Sequence, residues 1–330
     1  MNRRISAPSH MATSVHEPVW LSAYIFFRSA DPVRDCDDIV LQVLKPIIGT
    51  LVQTGQILSA FFIRYWELGP HVRLRLLTAP ALASAVESYV EDQVAMRLPP
   101  RAHARPESVP VNGRQSPAPG LWWVPYEPEI ERYGGRLGVS IAEELFAYST
   151  TMAIELLEGI RSDAYDRRGI ALASTIAALE PLVVGDATEG RAISRLYQHL
   201  VTGTWDPQSL AMHDAAFMAG VATQESALRE QTWTLWAASN GGALPTPMDL
   251  YSGAFRFARR RLSALAGAGE LFQRAGAAAS AREAIRHLAP SYLHMTNNRL
   301  GISRLNEGYL ANILYLNLDP RNHADDPLGP

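Results

Sequence analysis

Residues 57–77, ILSAFFIRYWELGPHVRLRLL, decide the fold. Ile57 to Trp66 is rich in aromatic and apolar residues and reads as one strand, and His71 to Leu77 reads as another. Leu68-Gly69-Pro70 between them is the chemistry of a turn. Working outward, Trp20 to Phe27 (WLSAYIFF) is a further strand. Asp31-Pro32 then has the form of a helix start. Val40, Val43, Leu44, Ile47, Ile48 and Leu51 follow at helical spacing despite Pro46, up to Gly55. Beyond the hairpin, Pro80 to Met96 reads as a second helix. The first hundred residues therefore run strand, helix, strand, strand, helix, half of a split βαβ, ferredoxin-like plan. Leu121 to Tyr126 (LWWVPY) supplies one more strand.

Between them, Leu98 to Gly120 is dense in Pro, Arg and Ser and has no apolar period, so it reads as a long loop. From Ser140 onward the pattern is helical. Ser140 and Glu143 have capping-box spacing, and helices are expected near 140–160, 168–179, 187–201, 209–235, 248–266, 280–296 and 304–316. The expected architecture is α+β, a small ferredoxin-like antiparallel sheet portion with a mainly helical remainder. Residues 1–17 read as a flexible tail and 319–330 as a loose C-terminal tail. One domain is expected over 18–318, with a sheet-bearing part about 18–137 and a helical part about 138–318.

Composition narrows the function. The chain has 330 residues, 30 Lys+Arg against 33 Asp+Glu, and 47% apolar content. That bulk can bury a sizeable core. The near balance of charge gives no field for nucleic acid and no polybasic run for a membrane surface. The single cysteine, Cys36, cannot form an internal disulfide, and no Cys/His cluster has metal-ligand spacing. The N-terminus lacks an apolar h-region, and no stretch approaches the roughly 18–20 apolar residues of a membrane span. A soluble, cytoplasmic protein without a metal or organic cofactor is the expectation. No phosphate loop, nucleophile elbow or HExxH is present.

Three places could carry chemistry. In His71-Val72-Arg73-Leu74-Arg75-Leu76, strand alternation puts His71, Arg73 and Arg75 on one face. Guanidinium groups there suit an anion, gripped through a bidentate fork; pattern alone favours an ordinary solvated sheet face. Glu131-Arg132-Tyr133-Gly134-Gly135 follows a strand, and its paired glycines permit a sharp bend that could aim Arg132 into a cleft. On base rates alone, Arg132 merely pairs with Glu129 or Glu131. In Ser291 to Gly301 (SYLHMTNNRLG), Pro290 is expected to start or kink a helix and Gly301 to end it. Such a helix puts His294, Asn297 and Asn298 on one face, where amides could orient an imidazole for proton transfer. A core histidine satisfied by a carbonyl is the commoner outcome of that pattern. Trp122-Trp123 and Phe26-Phe27 read as core, and Arg259-Arg260-Arg261 as a solvated helix face.

Taken together, Phe61 to Tyr65 with His71 to Arg75, Tyr126 to Gly135 (YEPEIERYGG) and His294 to Gly301 (HMTNNRLG) resemble the C-terminal elimination domain of lantibiotic dehydratases. That domain also occurs free-standing in thiopeptide gene clusters. The likeness runs from Trp20 to about Tyr315, and its three motifs keep their order and separation. It implies that Arg75, Arg132 and His294 carry elimination, with His71, Arg73, Tyr133, Asn297 and Asn298 contributing to substrate binding. Thr296 stands where the family often has a second histidine, and the loop over Leu98–Gly120 is longer than usual.

The resemblance further implies a substrate and a partner. The substrate is a ribosomally made precursor peptide, leader and core, whose Ser or Thr carries a glutamyl ester. A separate glutamylating subunit makes that ester, and the length of this chain matches only the elimination half. Removal of the α-proton and loss of glutamate then give dehydroalanine or dehydrobutyrine. Two alternatives are a thiopeptide pyridine synthase, which joins two dehydroalanines in a formal [4+2] cycloaddition, and a non-catalytic leader-peptide recognition module. The pyridine synthases tend to lose the elimination residues, and this chain retains them.

Overall fold

The computed structural model describes residues 17–98, 118–206, 224–273, 276–277 and 280–319, with isolated positions between 207 and 223. The hairpin forms as its sequence dictates: β2 (Ser59–Tyr65) and β3 (His71–Thr78) are joined by a turn in which Leu68 and Gly69 both adopt positive φ. β1 (Val19–Phe26) pairs antiparallel with β3 on one side and with β4 (Gly120–Trp123) on the other. The sheet order β2-β3-β1-β4, antiparallel throughout, is the complete ferredoxin-like order rather than half of it.

One face of the sheet is covered by helices. α1 (Pro32–Ile39) starts at Asp31, whose side chain accepts from the Arg34 N–H. It continues through a π turn (Val40–Leu44) into α2 (Lys45–Gln53). Pro46 has no N–H and its ring crowds the carbonyl one turn back, so the local widening falls just ahead of it. α3 (Ala83–Arg97) packs beside them on β1 and β4. Ala23, Ile25, Val72, Leu74 and Leu76 bury their side chains in this layer. At about 0.8 kcal/mol per buried CH2, this is the main stabilising contribution of the sheet-bearing half.

The second half is helical: α4 (Arg136–Arg161), α5 (Arg167–Val183), α6 (Ala187–Thr202), α7 (Glu225–Gly241), α8 (Met248–Gly267), α9 (Ala281–Arg299) and α10 (Arg304–Asn317). Two-residue strands at Phe272–Gln273 and Gly276–Ala277 pair between α8 and α9. α9 is the axis of this half, packing on α4, α5, α6, α8 and the edge strand β2. A buried ion network clamps the two halves together. Asp37 of α1 accepts from Arg64 of β2 and from Arg167 of α5, and the same two arginines donate to the carbonyls of Arg299 and Leu300 at the end of α9. No helix among the described residues is long and apolar enough to cross a membrane.

The structure differs from the sequence reading at several points. Trp122, read as core, is half exposed on the edge strand β4. Ser140 and Glu143 do not form a capping box: α4 begins at Arg136, directly after Gly134 and Gly135, both at positive φ. Glu143 instead accepts from the Tyr126 hydroxyl at 2.6 Å and from the Trp20 indole at 3.2 Å. Of the two roles expected for Pro290, starting or kinking a helix, it does not take the first: it lies inside α9, whose first turn is capped by Ser280. The tertiary bed around α9 holds the chain helical through a residue that usually breaks helices. Within the helix expected over 209–235, the isolated described positions from 209 to 220 are helical and Glu225–Gly241 forms α7. The tails and most of the loop expected over Leu98–Gly120 lie outside the described residues.

Candidate active site

The other face of the sheet carries Tyr24 of β1, Phe61, Ile63 and Tyr65 of β2, and His71, Arg73 and Arg75 of β3. Strand alternation and antiparallel register set this directly: Arg73 stands opposite Tyr24 on one side and Ile63 on the other, and Arg75 opposite Phe61. Above this face lies a cavity of about 1400 Å³, closed by α9, the segment Tyr126–Tyr133, and residues of α6 and α10. Its wall includes Arg73, Arg75, Arg132, Tyr133, His294 and Asn298. The three residues Arg75, Arg132 and His294, 219 positions apart at the extremes (294 − 75), therefore share one cavity.

Each is held differently. Arg75 is buried, with its guanidinium carbon 5.3 Å from the Tyr24 ring centre and 5.4 Å from that of Tyr126. Its Nη1 donates to the Leu74 carbonyl at 3.2 Å, its Nε has no hydrogen-bond partner, and the side chain makes no ion pair among the described residues. Burial lowers its pKa. Arg73 stacks 3.4 Å over Tyr65 and 4.6 Å from Tyr24. Arg132 is neutralised: it donates to both oxygens of Glu129 at 3.2 Å and through Nε to Ser291 Oγ at 3.1 Å. Burial works against its charge, but Tyr133 and Glu129 outweigh it and raise its pKa. Ser291 lies one turn before His294 on α9, so Arg132 is fixed to the helix that carries the imidazole.

His294 donates from Nδ1 to Oε2 of Glu307 at 2.9 Å, and the Tyr197 hydroxyl donates to the same oxygen at 2.7 Å. Glu307 is fully buried in the first turn of α10. Its pairing fixes the tautomer and leaves Nε2 without a partner among the described residues.

The expected binding residues divide. Tyr133 lines the cavity while being almost fully buried, stacked on Tyr292 at 5.7 Å. Asn298 lines it as well, but its amide pairs with the backbone N–H and C=O of Arg64, both at 2.9 Å, closing the edge of β2 in place of a strand. His71 is not brought to the wall. It is buried against Phe26, its Nδ1 donates to the Gly69 carbonyl, and its Nε2 accepts from Arg73 Nε. Burial first, and the neighbouring arginines after it, hold its pKa down to about 4, while the Gly69 bond works in the opposite sense. Asn297 is fully buried and donates to Thr175 and Tyr197. Neither amide orients His294; Glu307 does. Among the described residues no group of three or more His, Cys, Asp or Glu could hold a metal ion.

Sequence reasoning missed Glu307, Tyr24, Tyr126 and Ser291. Glu307 left a signal: it stands in register with Leu310, Ala311 and Leu314, the buried stripe of α10, where an acid needs a partner.

The profile of the family described as lantibiotic biosynthesis dehydratase C-term matches residues 20–318. No curated protein matches the chain. Among solved structures, the pyridine synthase TbtD from thiomuracin biosynthesis superposes with a TM-score of 0.68 at 18% identity, covering 92% of this chain and 99% of its own. TsrL superposes at 0.65 with 15% identity, covering 93% and 96%. The tRNA-dependent lantibiotic dehydratase MibB from Microbispora sp. 107891 superposes at 0.55 with 21% identity, and the match covers 93% of this chain but 28% of MibB. At these identities the likeness is one of fold.

Proposed function

The chain belongs to the lantibiotic biosynthesis dehydratase C-terminal family, and from that premise we propose that its cavity modifies serine- or threonine-derived residues of a ribosomally made precursor peptide by eliminating glutamate from a glutamyl ester. The observation that carries this reading is the meeting of Arg75, Arg132 and His294 on one cavity wall.

The reaction breaks the Cα–H and Cβ–O bonds, forms the Cα=Cβ bond, and releases glutamate through its carboxylate. Negative charge grows on the substrate carbonyl as the α-proton leaves, then on the departing carboxylate. A fixed guanidinium aimed at either oxygen lowers the barrier, by about 3–4 kcal/mol for one such donor. Arg75, desolvated and without an ion pair among the described residues, suits the departing carboxylate through its planar fork. Arg132, already offset by Glu129, suits the carbonyl, where charge is transient. Nε2 of His294 takes the α-proton, and the buried Glu307 carboxylate stabilises the imidazolium that results. The reaction takes a substrate that has already been glutamylated.

A second reading, pyridine synthesis by a formal [4+2] cycloaddition between two dehydroalanines, has its own observation. TbtD is matched over nearly its whole length, whereas MibB is matched over 28% of its own. By overall likeness to solved structures, this second reading is better supported than elimination; the residues of the cavity favour elimination. One experiment separates them. The protein is incubated in parallel with a glutamylated precursor peptide and with a peptide carrying two dehydroalanines, and products are read by mass spectrometry and ultraviolet absorbance. Free glutamate and a new dehydroamino acid from the first peptide support elimination. A pyridine chromophore from the second, with no glutamate from the first, would replace it by cycloaddition. Binding of both without turnover would leave a peptide-recognition module.

A further inference from the structure

Three arginines, Arg64, Arg75 and Arg299, are buried to the last few per cent of their surface, and the two at the end of α9, Arg64 and Arg299, are treated differently. Arg64 has its counter-ion, Asp37 Oδ1 at 2.7 Å. Arg299, in the last turn of α9 and fully buried, makes no ion pair among the described residues. Its Nη1 donates to the Met295 carbonyl at 2.7 Å and its Nε to Thr150 Oγ1 at 3.2 Å, while Nη2 has no partner among the described residues. An ion taken out of water without a counter-charge costs several kcal/mol. The carbonyl end of α9 offsets part of that, since a helix C-terminus carries only about half a unit of negative charge.

Arg299 stands one side chain behind the cavity. Its guanidinium carbon is 4.8 Å from the ring centre of Phe146 and 5.9 Å from that of Phe61, and both rings line the cavity. Met295, whose carbonyl it holds, lines the cavity too, as does Tyr133, which interacts electrostatically with it. Burial lowers the Arg299 pKa to about 10, which still leaves the side chain charged near neutrality.

We propose that Arg299 is a positioning residue of the cavity: a permanently buried cation whose field, passing through the wall of Phe61, Phe146 and Tyr133, is neutralised only when a carboxylate ligand enters. The inference rests on the elimination reading for the identity of that carboxylate, glutamate. It explains why the end of α9 keeps one arginine that makes no ion pair among the described residues beside one that does. The structural alternative is that Arg299 only ties the last turn of α9 to Thr150 of α4.

The test measures binding of free L-glutamate and of the unmodified core peptide to the full chain by calorimetry, with glutamate release from the glutamylated peptide assayed alongside. Arg299→Met removes the charge and keeps the bulk. Glutamate affinity should fall about tenfold or more, the scale of a unit charge acting across one layer of side chains. Core-peptide affinity should hold, and the variant should melt no lower than the parent. Arg299→Lys should keep glutamate affinity within about threefold, since it keeps the charge. Thr150→Asp leaves Arg299 in place and gives it a permanent counter-ion; it should weaken glutamate binding as Arg299→Met does, and it carries the test if that variant fails to fold. Unchanged glutamate affinity in Arg299→Met or Thr150→Asp, or equal loss for glutamate and core peptide, would overturn the inference while leaving elimination by the parent intact. Equal losses in the Met and Lys variants would overturn it as well. A parent that neither binds nor releases glutamate would overturn the elimination reading together with it.

Discussion

Replacing Asp37 by alanine should destabilise the protein by about 3–5 kcal/mol. Asp37 is fully buried and accepts from Nη2 of Arg64 at 2.7 Å and Nη2 of Arg167 at 2.5 Å. The two arginines answer its loss differently. The Arg167 side chain is 23% exposed and can turn toward water, whereas that of Arg64 is 1% exposed and cannot. Arg64 keeps its bonds to the carbonyls of Arg299 and Val33 but loses its only anion among the described residues. Each hydrogen bond to a charged group contributes about 1.5–3 kcal/mol, and the stranded guanidinium adds its desolvation cost, which leads to the figure above. Asp37→Asn keeps one acceptor and should cost about half as much. Urea unfolding followed by far-ultraviolet circular dichroism gives the difference, read at an unchanged slope. The double change Asp37→Leu with Arg64→Met should recover most of the loss by removing both buried charges. A loss below about 1 kcal/mol for Asp37→Ala would refute the view that this network holds the halves together.

Three further outcomes are expected. Native His71 holds its pKa down near 4 against an ordinary 6.5, so the unfolded chain binds the proton more readily; stability should be full above pH 6.5 and fall as pH drops toward 4, by up to about 3 kcal/mol, and urea titrations of His71→Gln should lack that component. Arg75→Lys keeps charge but loses the fork, and glutamate release should slow by about 10²-fold, with thermal melting little changed; an unchanged rate would remove Arg75 from the chemistry. Gly138→Ala would place its Cβ 1.8 Å from the Tyr133 carbonyl oxygen, so the Arg132–Gly135 turn must move, and both soluble yield and activity should collapse.

The sheet was legible because its information is local. Alternation in His71–Leu76, the turn chemistry of Leu68-Gly69-Pro70 and Asp31-Pro32 each act within a few residues, and all formed as read. The helix starts were less legible where they depend on tertiary partners. Ser140 and Glu143 have capping-box spacing, yet the backbone had already turned helical at Arg136 because Gly134 and Gly135 bend the chain there. Glu143 was then free to serve Tyr126 and Trp20. Pro290 shows the same competition: a strong local breaker yields to the packing of α9 among four helices and a strand.

The candidate site divides along the same line. The side-by-side placement of Arg73 and Arg75 on β3 follows from a period of two, whereas His71 shares that face but is buried against Phe26 short of the wall. What each cationic group is paired with does not follow from spacing. His294 looked as if Asn297 and Asn298 would orient it, because residues one turn apart on a helix are neighbours; the amides turned instead to Tyr197 and to the edge of β2. Both are stronger demands, a buried hydroxyl and two open backbone groups, and a buried polar group left unmade costs more than a flexible imidazole left waiting. The imidazole then took the one carboxylate that α10 presents on its buried stripe. Counter-ions therefore sort the cations that sequence could only collect: Arg64 and Arg132 are neutralised within the protein, while Arg75 and Arg299, beside and behind the same cavity, make no ion pair among the described residues. An incoming carboxylate would complete both, and a neutral pair of dehydroalanines would complete neither.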